Sequence, residues 1–328
     1  MPEPTSSRDA GAGRGAAIVC GVEQSEACRQ AVAVASELAE RLGAPLVLVN
    51  VRAAPAELPS RMAAQAAVAR EHAVAAGRRT VVDVVAPLAA DPSRRRALER
   101  AEARVEFGAP AARLAAIADE LAAELIVVGA RGRGRAGSLV LGSVSQSLAA
   151  EPSRPVLVVP PEASLELAGS APGGTRPSIV CGVDGSDAAT RTARVAARLA
   201  SALGLRLVLV HVEEGGERRP PGTIEFDTLL DAATRPRVRM LQRSADAAAR
   251  EGADVQLCLA AGSPAAALED VAVREAGALI AVGTRGHGAL RALALGSVSR
   301  SLAAGAPVPV LVVSEPPQAD AADPRGGS

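Results

Sequence analysis

The sequence predicts an α/β protein of two tandem domains, each a doubly wound, mostly parallel five-stranded sheet. Three observations carry that prediction. First, the chain is written twice: AIVCGVEQSEACRQAVAVASELAERLGAPLVLVNV, ending at Val51, matches SIVCGVDGSDAATRTARVAARLASALGLRLVLVHV, ending at Val212, an offset of 161 residues. Second, short apolar runs such as IVCGV and LVLV lack polar alternation, as parallel strands covered on both faces do. Third, stretches of helical spacing separate those runs, so strand and helix alternate through each copy.

The elements follow in order. Residues 18–22 (IVCGV) form the first strand, and residues 25–42 carry Ala, Val and Leu at helical spacing up to Gly43, a C-cap. LVLV at 46–49 is the second strand. A middle helix rich in Ala and Arg leads to a third strand, expected at residues 81–85 (VVDVV) and 255–259 (VQLCL). A helix then starts at Pro110, a fourth strand spans 125–128, and a glycine-rich loop leads to a short helix from Ser143. PVLVV at 155–159 and again at 309–313 closes each copy. Those last strands would lie on sheet edges, and exposed apolar edges are usually covered. They are therefore expected to pair with each other about a pseudo-twofold axis.

From Gly129 to Gly283 the offset is 154 residues, so the second copy has lost seven residues in its middle stretch. Residues 161–177 are rich in Pro, Gly and Ser and read as a linker. The expected organisation is a disordered segment 1–15, a domain 16–160, the linker, a domain 178–314 and a disordered tail 315–328.

Composition narrows the function. Hydrophobic residues make up 48% of the 328, yet there are only two Phe and no Trp or Tyr, so the cores are built of Val, Leu, Ile and Ala. Charges balance at 36 against 36, which gives no global field for nucleic acid or an anionic membrane. Stacking platforms for single strands are missing too. Lysine is absent, which removes the P-loop NTPases and Schiff-base chemistry. Cys20, Cys28, Cys181 and Cys258 show no metal spacing and read as small core residues. No apolar run reaches the roughly 18 residues that span a bilayer, so a soluble, cytoplasmic protein without membrane contact is expected.

The glycine loops hold the chemistry. Residues 129–147 read GARGRGRAGSLVLGSVSQS, and residues 283–301 read GTRGHGALRALALGSVSRS. A dinucleotide fingerprint fits Gly132, Gly134 and Gly137, but it follows the fourth strand instead of the first, and Arg291 replaces the last glycine in the second copy. A plain loop would use glycine only for positive φ. Yet both copies keep Gly-x-x-Gly, nine residues, then Gly-Ser-Val-Ser. A nucleotide cradle explains that pattern better. Gly129 would let a ligand approach the backbone, Gly132 would turn the chain, and Gly142 with Ser143 would open a helix whose N–H groups suit phosphate. Ser143 and Ser145 would add hydroxyl donors; Arg131, Arg133 and Arg285 either reach phosphates or are solvated.

This Gly-x-x-Gly-x9-Gly-Ser pattern, with the GVDGS opening, the LVHV second strand and the G-x-P-A before the fourth helix, resembles the ATP-binding universal stress proteins. The resemblance covers residues 16–160 and 178–314. It implies strand order 3-2-1-4-5, with the switch point between the first and fourth strands. It implies that Gly182, Val183, Asp184 and Val212 face adenine and ribose, and that Gly283, Gly286, Gly296, Ser297, Val298 and Ser299 hold ribose and phosphates. The matching first-copy positions are Gly21, Val22, Glu23, Val51, Gly129, Gly132, Gly142, Ser143, Val144 and Ser145.

The first copy departs at GVEQS, where Glu23 and Gln24 replace Asp184 and Gly185. No catalytic set is evident: His72, His211 and His287 read as structural or solvated. A Mg²⁺ ion accompanying ATP would be held chiefly by phosphate oxygens and water. The resemblance implies a nucleotide-responsive module in stress adaptation, with self-association possible and the protein partner unknown. The alternatives are an ATP-pyrophosphatase-like or nucleotidyl-transfer enzyme, to whose SGGxDS-type loop CGVDGS is a poor match, and an adaptor whose first site is degenerate.

Overall fold

A computed structural model of the chain describes residues 16–54, 63–131, 141–150, 153–167, 176–214, 222–223, 235–284 and 295–314. The first half runs β1 (Ile18–Gly21), α1 (Glu26–Leu42), β2 (Leu46–Arg52), α2 (Ala63–Leu88), α3 (Pro92–Glu99), β3 (Glu102–Phe107), α4 (Pro110–Glu120), β4 (Leu125–Gly129), α5 (Ser143–Ala150) and β5 (Val156–Val159). The second runs β6 (Ser178–Gly182), α6 (Asp187–Leu203), β7 (Arg206–Glu213), β8 (Gly222–Thr223), α7 (Arg235–Ala249), β9 (Asp254–Ala261), α8 (Pro264–Arg274), β10 (Gly277–Gly283), α9 (Ser297–Gly305) and β11 (Val310–Val313).

The repeated sequence builds repeated caps. Ser25 accepts from the Cys28 N–H at the start of α1, and Ser186 accepts from Ala189 N–H at the start of α6. Gly43 and Gly204 close the two helices at φ 61° and 67°, a left-handed conformation that a side chain resists. Along each strand successive residues enter opposite cores. Ile18, Cys20, Leu48 and Val127 pack with α1, while Val19, Val47, Ile126 and Val156 pack with α4 and α5. Two-sided burial is why the strands read as continuous apolar runs.

Among the described residues all strands join one sheet, ordered β3-β2-β1-β4-β5-β11-β10-β6-β7-β9-β8. Each half thus has the order 3-2-1-4-5, with β8 an antiparallel addition on β9. The two halves meet at β5 and β11, which pair antiparallel with Leu157 opposite Leu311 and Val156 opposite Val312. Leu157 and Leu311 are equivalent in the repeat, so the local pseudo-twofold passes through this pair. The edge strands cover each other, and both cores run on from one half into the other.

One expectation fails. Residues 81–85 are not a strand; they lie in α2, and the third strand of the first half is β3. Gly77, Thr80, Val81 and Val84 are buried at helical spacing while Val82 is 62% exposed. Helix α2 lies on β3 at Gly77, where an added Cβ would stand 2.6 Å from Val105. The extra length of the first copy lies in this α2–α3 stretch. Among the described residues no helix is long and apolar enough to cross a membrane.

Candidate functional site

In the second half β6 and β10 lie side by side in the sheet, and the chain leaves their carboxyl ends toward α6 and α9. Such a divergence opens a crevice in doubly wound sheets. Here it is a cavity of about 540 Å³. Gly182, Val183 and Asp184 line it from the end of β6, Val212 from β7, Gly283 from β10, and Gly296, Ser297, Val298 and Ser299 from the start of α9. Every second-copy candidate that the structure describes is therefore in one cavity. Gly286, like Gly132 in the first copy, lies outside the described residues.

The cavity lining carries both polarities. Helix α9 begins at Gly296 with no side chain capping it. Its first N–H groups have no partner within the helix, and the helix dipole adds positive character there. The loop is closed beneath by the Gly296 N–H donating to the Thr284 carbonyl at 2.8 Å. The acidic residues Asp184 and Glu214 line it from just beyond β6 and β7. Asp184 is held by its own turn: its Oδ1 accepts from the Ser186 N–H at 3.0 Å and from the Ser186 hydroxyl at 2.6 Å. Gly185 permits that turn at φ 86°, and a Cβ there would meet Met240 at 2.2 Å.

Two expected roles are corrected. The Ser299 hydroxyl donates to the Gly283 carbonyl at 2.6 Å and Ser145 to the Ala130 carbonyl at 2.9 Å, both buried. Those hydroxyls tie the helix start to the strand end; Ser143 and Ser297 are the exposed ones. Gly129 is required by packing: a Cβ would lie 2.8 Å from the Ala27 carbonyl, so α1 by itself demands the glycine. Arg131 donates to the Ala304 carbonyl of α9 at 3.3 Å, across the two halves. Arg133 and Arg285 lie outside the described residues.

The first half repeats the frame. Gly21, Val22 and Glu23 follow β1, Val51 lies in β2, and Gly142, Ser143, Val144 and Ser145 open α5, with the Gly142 N–H on the Ala130 carbonyl at 2.7 Å. The acidic stretch is rebuilt, however. The Glu23 N–H donates to Cys28 Sγ at 3.1 Å, and the Ser25 N–H reaches only the Glu23 carbonyl, at 3.2 Å. Cys28 occupies the position of Ala189, a lining residue of the second crevice. Burial pushes its thiol up to about 11, partly offset by the Glu23 N–H.

Sequence reasoning missed several residues. His211 lines the second crevice and its Nδ1 lies 3.1 Å from the Val183 carbonyl, so that nitrogen carries the proton. Asn50 stands at the same place in the first copy and donates to the Val22 carbonyl at 2.7 Å. A polar residue in an otherwise apolar strand in both copies was the available signal. Glu214, Pro264 and Leu268 complete the wall. Pro264 and Leu268 could have been found as the counterparts of Pro110 and Leu114.

Residues 16–160 and 176–314 each match the model of the Universal stress protein family. The chain belongs to the universal stress protein family. A universal stress protein of Thermus aquaticus is 38% identical over 138 residues, which cover 42% of this chain and 97% of that protein. One from Mycobacterium tuberculosis is 31% identical over 197 residues, and the match spans 58% of this chain and 59% of the relative. Among solved structures, a universal stress protein from Archaeoglobus fulgidus superimposes with a TM-score of 0.61 at 19% identity, covering 91% of this chain and 98% of that one.

Proposed function

We propose that this universal stress protein is an ATP-binding regulatory module whose second crevice holds the nucleotide. The observation that carries the reading is one cavity lined both by an uncapped helix start at Gly296 and by the acidic residues Asp184 and Glu214. The helix start suits phosphate oxygens. The carboxylates suit the hydroxyl donors of a ribose and the amino donor of a base. A volume of about 540 Å³ fits a small-molecule ligand. In this reading Gly182, Val183 and Val212 form the base wall, Asp184 takes the ribose, and Gly283, Gly296, the Ser297 hydroxyl and the N–H groups of Ser297 to Ser299 hold the phosphates, the Ser299 hydroxyl being engaged on the Gly283 carbonyl. Among the described residues no cluster of His, Cys, Asp and Glu could hold a metal ion, so Mg²⁺ would arrive with the phosphates.

The first crevice keeps the helix start and has a rebuilt acidic stretch, at Glu23 and Cys28. It is the weaker site. The functional units are the stretches 16–160 and 178–314, and the protein acts in stress adaptation by binding, not by rapid turnover. Chromatography of the nucleotide released from the purified, acid-denatured protein tests the reading. ATP is the expected species; NAD in its place would overturn it.

A further inference from the structure

A second cavity, of about 520 Å³, lies at the seam between the halves, with a lining distinct from that of the second crevice although Val313 of the one pairs with Gly283 of the other in the sheet. Its floor is apolar: Leu125 from β4, and Leu311 and Val313 from β11, with Leu42 at the end of α1. One wall is a single face of α6, where Arg191, Val195, Arg198 and Leu199 follow at helical spacing. Arg154, just before β5, stands on another side.

These arginines differ in their engagement. Arg154 is paired with Asp119 at 3.1 Å. Arg191 and Arg198 make no ion pair or hydrogen bond with any described residue, and the Arg191 Nε is buried without a partner. A buried guanidinium N–H with no acceptor is costly. The Nε atoms of Arg94, Arg113 and Arg131 are also unpaired, but each of those guanidinium groups has another partner, and among the described residues that of Arg191 has none. Glu124 is the one carboxylate among the described lining residues, and it is exposed.

The internal repeat supplies a control. The pseudo-twofold gives this cavity a mate, in which α1 presents Gln30, Val34, Glu37 and Leu38, and Val308 replaces Arg154. The apolar positions are kept and every arginine is lost. The mate is also covered: residues 160–167 run over it, with the Ser164 N–H on the Pro307 carbonyl at 3.3 Å and Ala163 and Leu167 buried in the same core. Among the described residues only the arginine side is left uncovered, and it is the positive one.

We propose that this seam cavity is a binding site for a small amphipathic anion, a carboxylate or phosphomonoester head on a compact apolar body. Arg191 and Arg198 take the head, and the Leu and Val floor takes the body. Because both halves line it, the ligand would bridge them. The inference is independent of the nucleotide reading.

Calorimetric titration of the full chain with octanoate, octyl phosphate and octylamine tests it. Both anions should bind with one-to-one stoichiometry, and the amine at least about tenfold more weakly. Replacing Arg191→Gln and Arg198→Glu together, the residues of the mate, should weaken both anions by about tenfold or more while the thermal midpoint stays near wild type. Separate anion affinities report which head is preferred. Equal binding of the amine, or an unchanged affinity in the double variant, would overturn the proposal. So would anion binding that appears only after removal of residues 315–328, which would make the chain's own acidic segment the occupant.

Discussion

At Asp184 and Glu23 the two copies part by one methylene, and the difference propagates into the turn. Asp184 is clamped by Ser186 within a turn that needs Gly185, whereas Glu23 passes its backbone N–H to a thiol. A hydrogen bond involving a charged group contributes roughly 1.5–3 kcal/mol, and about 1.4 kcal/mol is tenfold in affinity. Asp184→Ala is therefore expected to weaken ATP at its crevice by about tenfold or more, and Glu23→Ala to change the first crevice far less. Titration of both variants reads this directly; equal losses would contradict it. The cysteines make a second residue-scale prediction. Burial raises all four thiols, with Cys28 and Cys258 pushed up to about 11 and Cys181 to about 12. In the unfolded chain they ionise near pH 8.5. Their contribution is thus complete below that value and is lost as pH rises toward the folded values. Denaturant midpoints should fall between pH 8 and pH 10.5, and less steeply in a Cys181→Ala variant; a flat profile would contradict this.

At the scale of elements, the strand–helix order, the caps and the doubling were legible because each has a local cause. IVCG and VLVV are buried on both faces, and Ser25, Gly43, Ser186 and Gly204 punctuate the helices they flank. The third strand was not legible. EARVEF is an edge strand whose outer face meets solvent, so it is more polar than VVDVV, and the latter's helical spacing shows only when Gly77, Thr80, Val81 and Val84 are taken together. The described part of the glycine pattern, Gly283 and Gly296, falls on the crevice lining, but the reason for each glycine was not legible. Gly129 answers to α1 and Ser145 and Ser299 to the strand end, contacts that depend on tertiary packing. Gly129→Ala is accordingly expected to destabilise the fold by about 1–3 kcal/mol through overpacking against Ala27. A denaturant midpoint equal to wild type would contradict that role.

Over the whole molecule the seam at Leu157 and Leu311 joins the two halves into one sheet, so they are expected to unfold together. Both side chains are essentially fully buried, and the cores continue past them. Leu311→Ala should cost about 2–5 kcal/mol. Heat should unfold the wild type in a single calorimetric transition, and two well-separated transitions would show the halves to be independent. The pairing was legible from the repeated PVLVV, since two equivalent apolar edges can satisfy each other. The arginine cavity beside it was not, because Arg154, Arg191 and Arg198 come together only once both halves are folded. The most direct measurement is calorimetric titration of the full chain and of Gly296→Val with ATP, repeated in the presence of NAD. Wild type should show a tighter and a weaker ATP site, with NAD failing to compete, and Gly296→Val should lose the tighter one alone. An unchanged titration in Gly296→Val, or NAD that binds tightly and is not displaced by ATP, would contradict ATP binding in the second crevice.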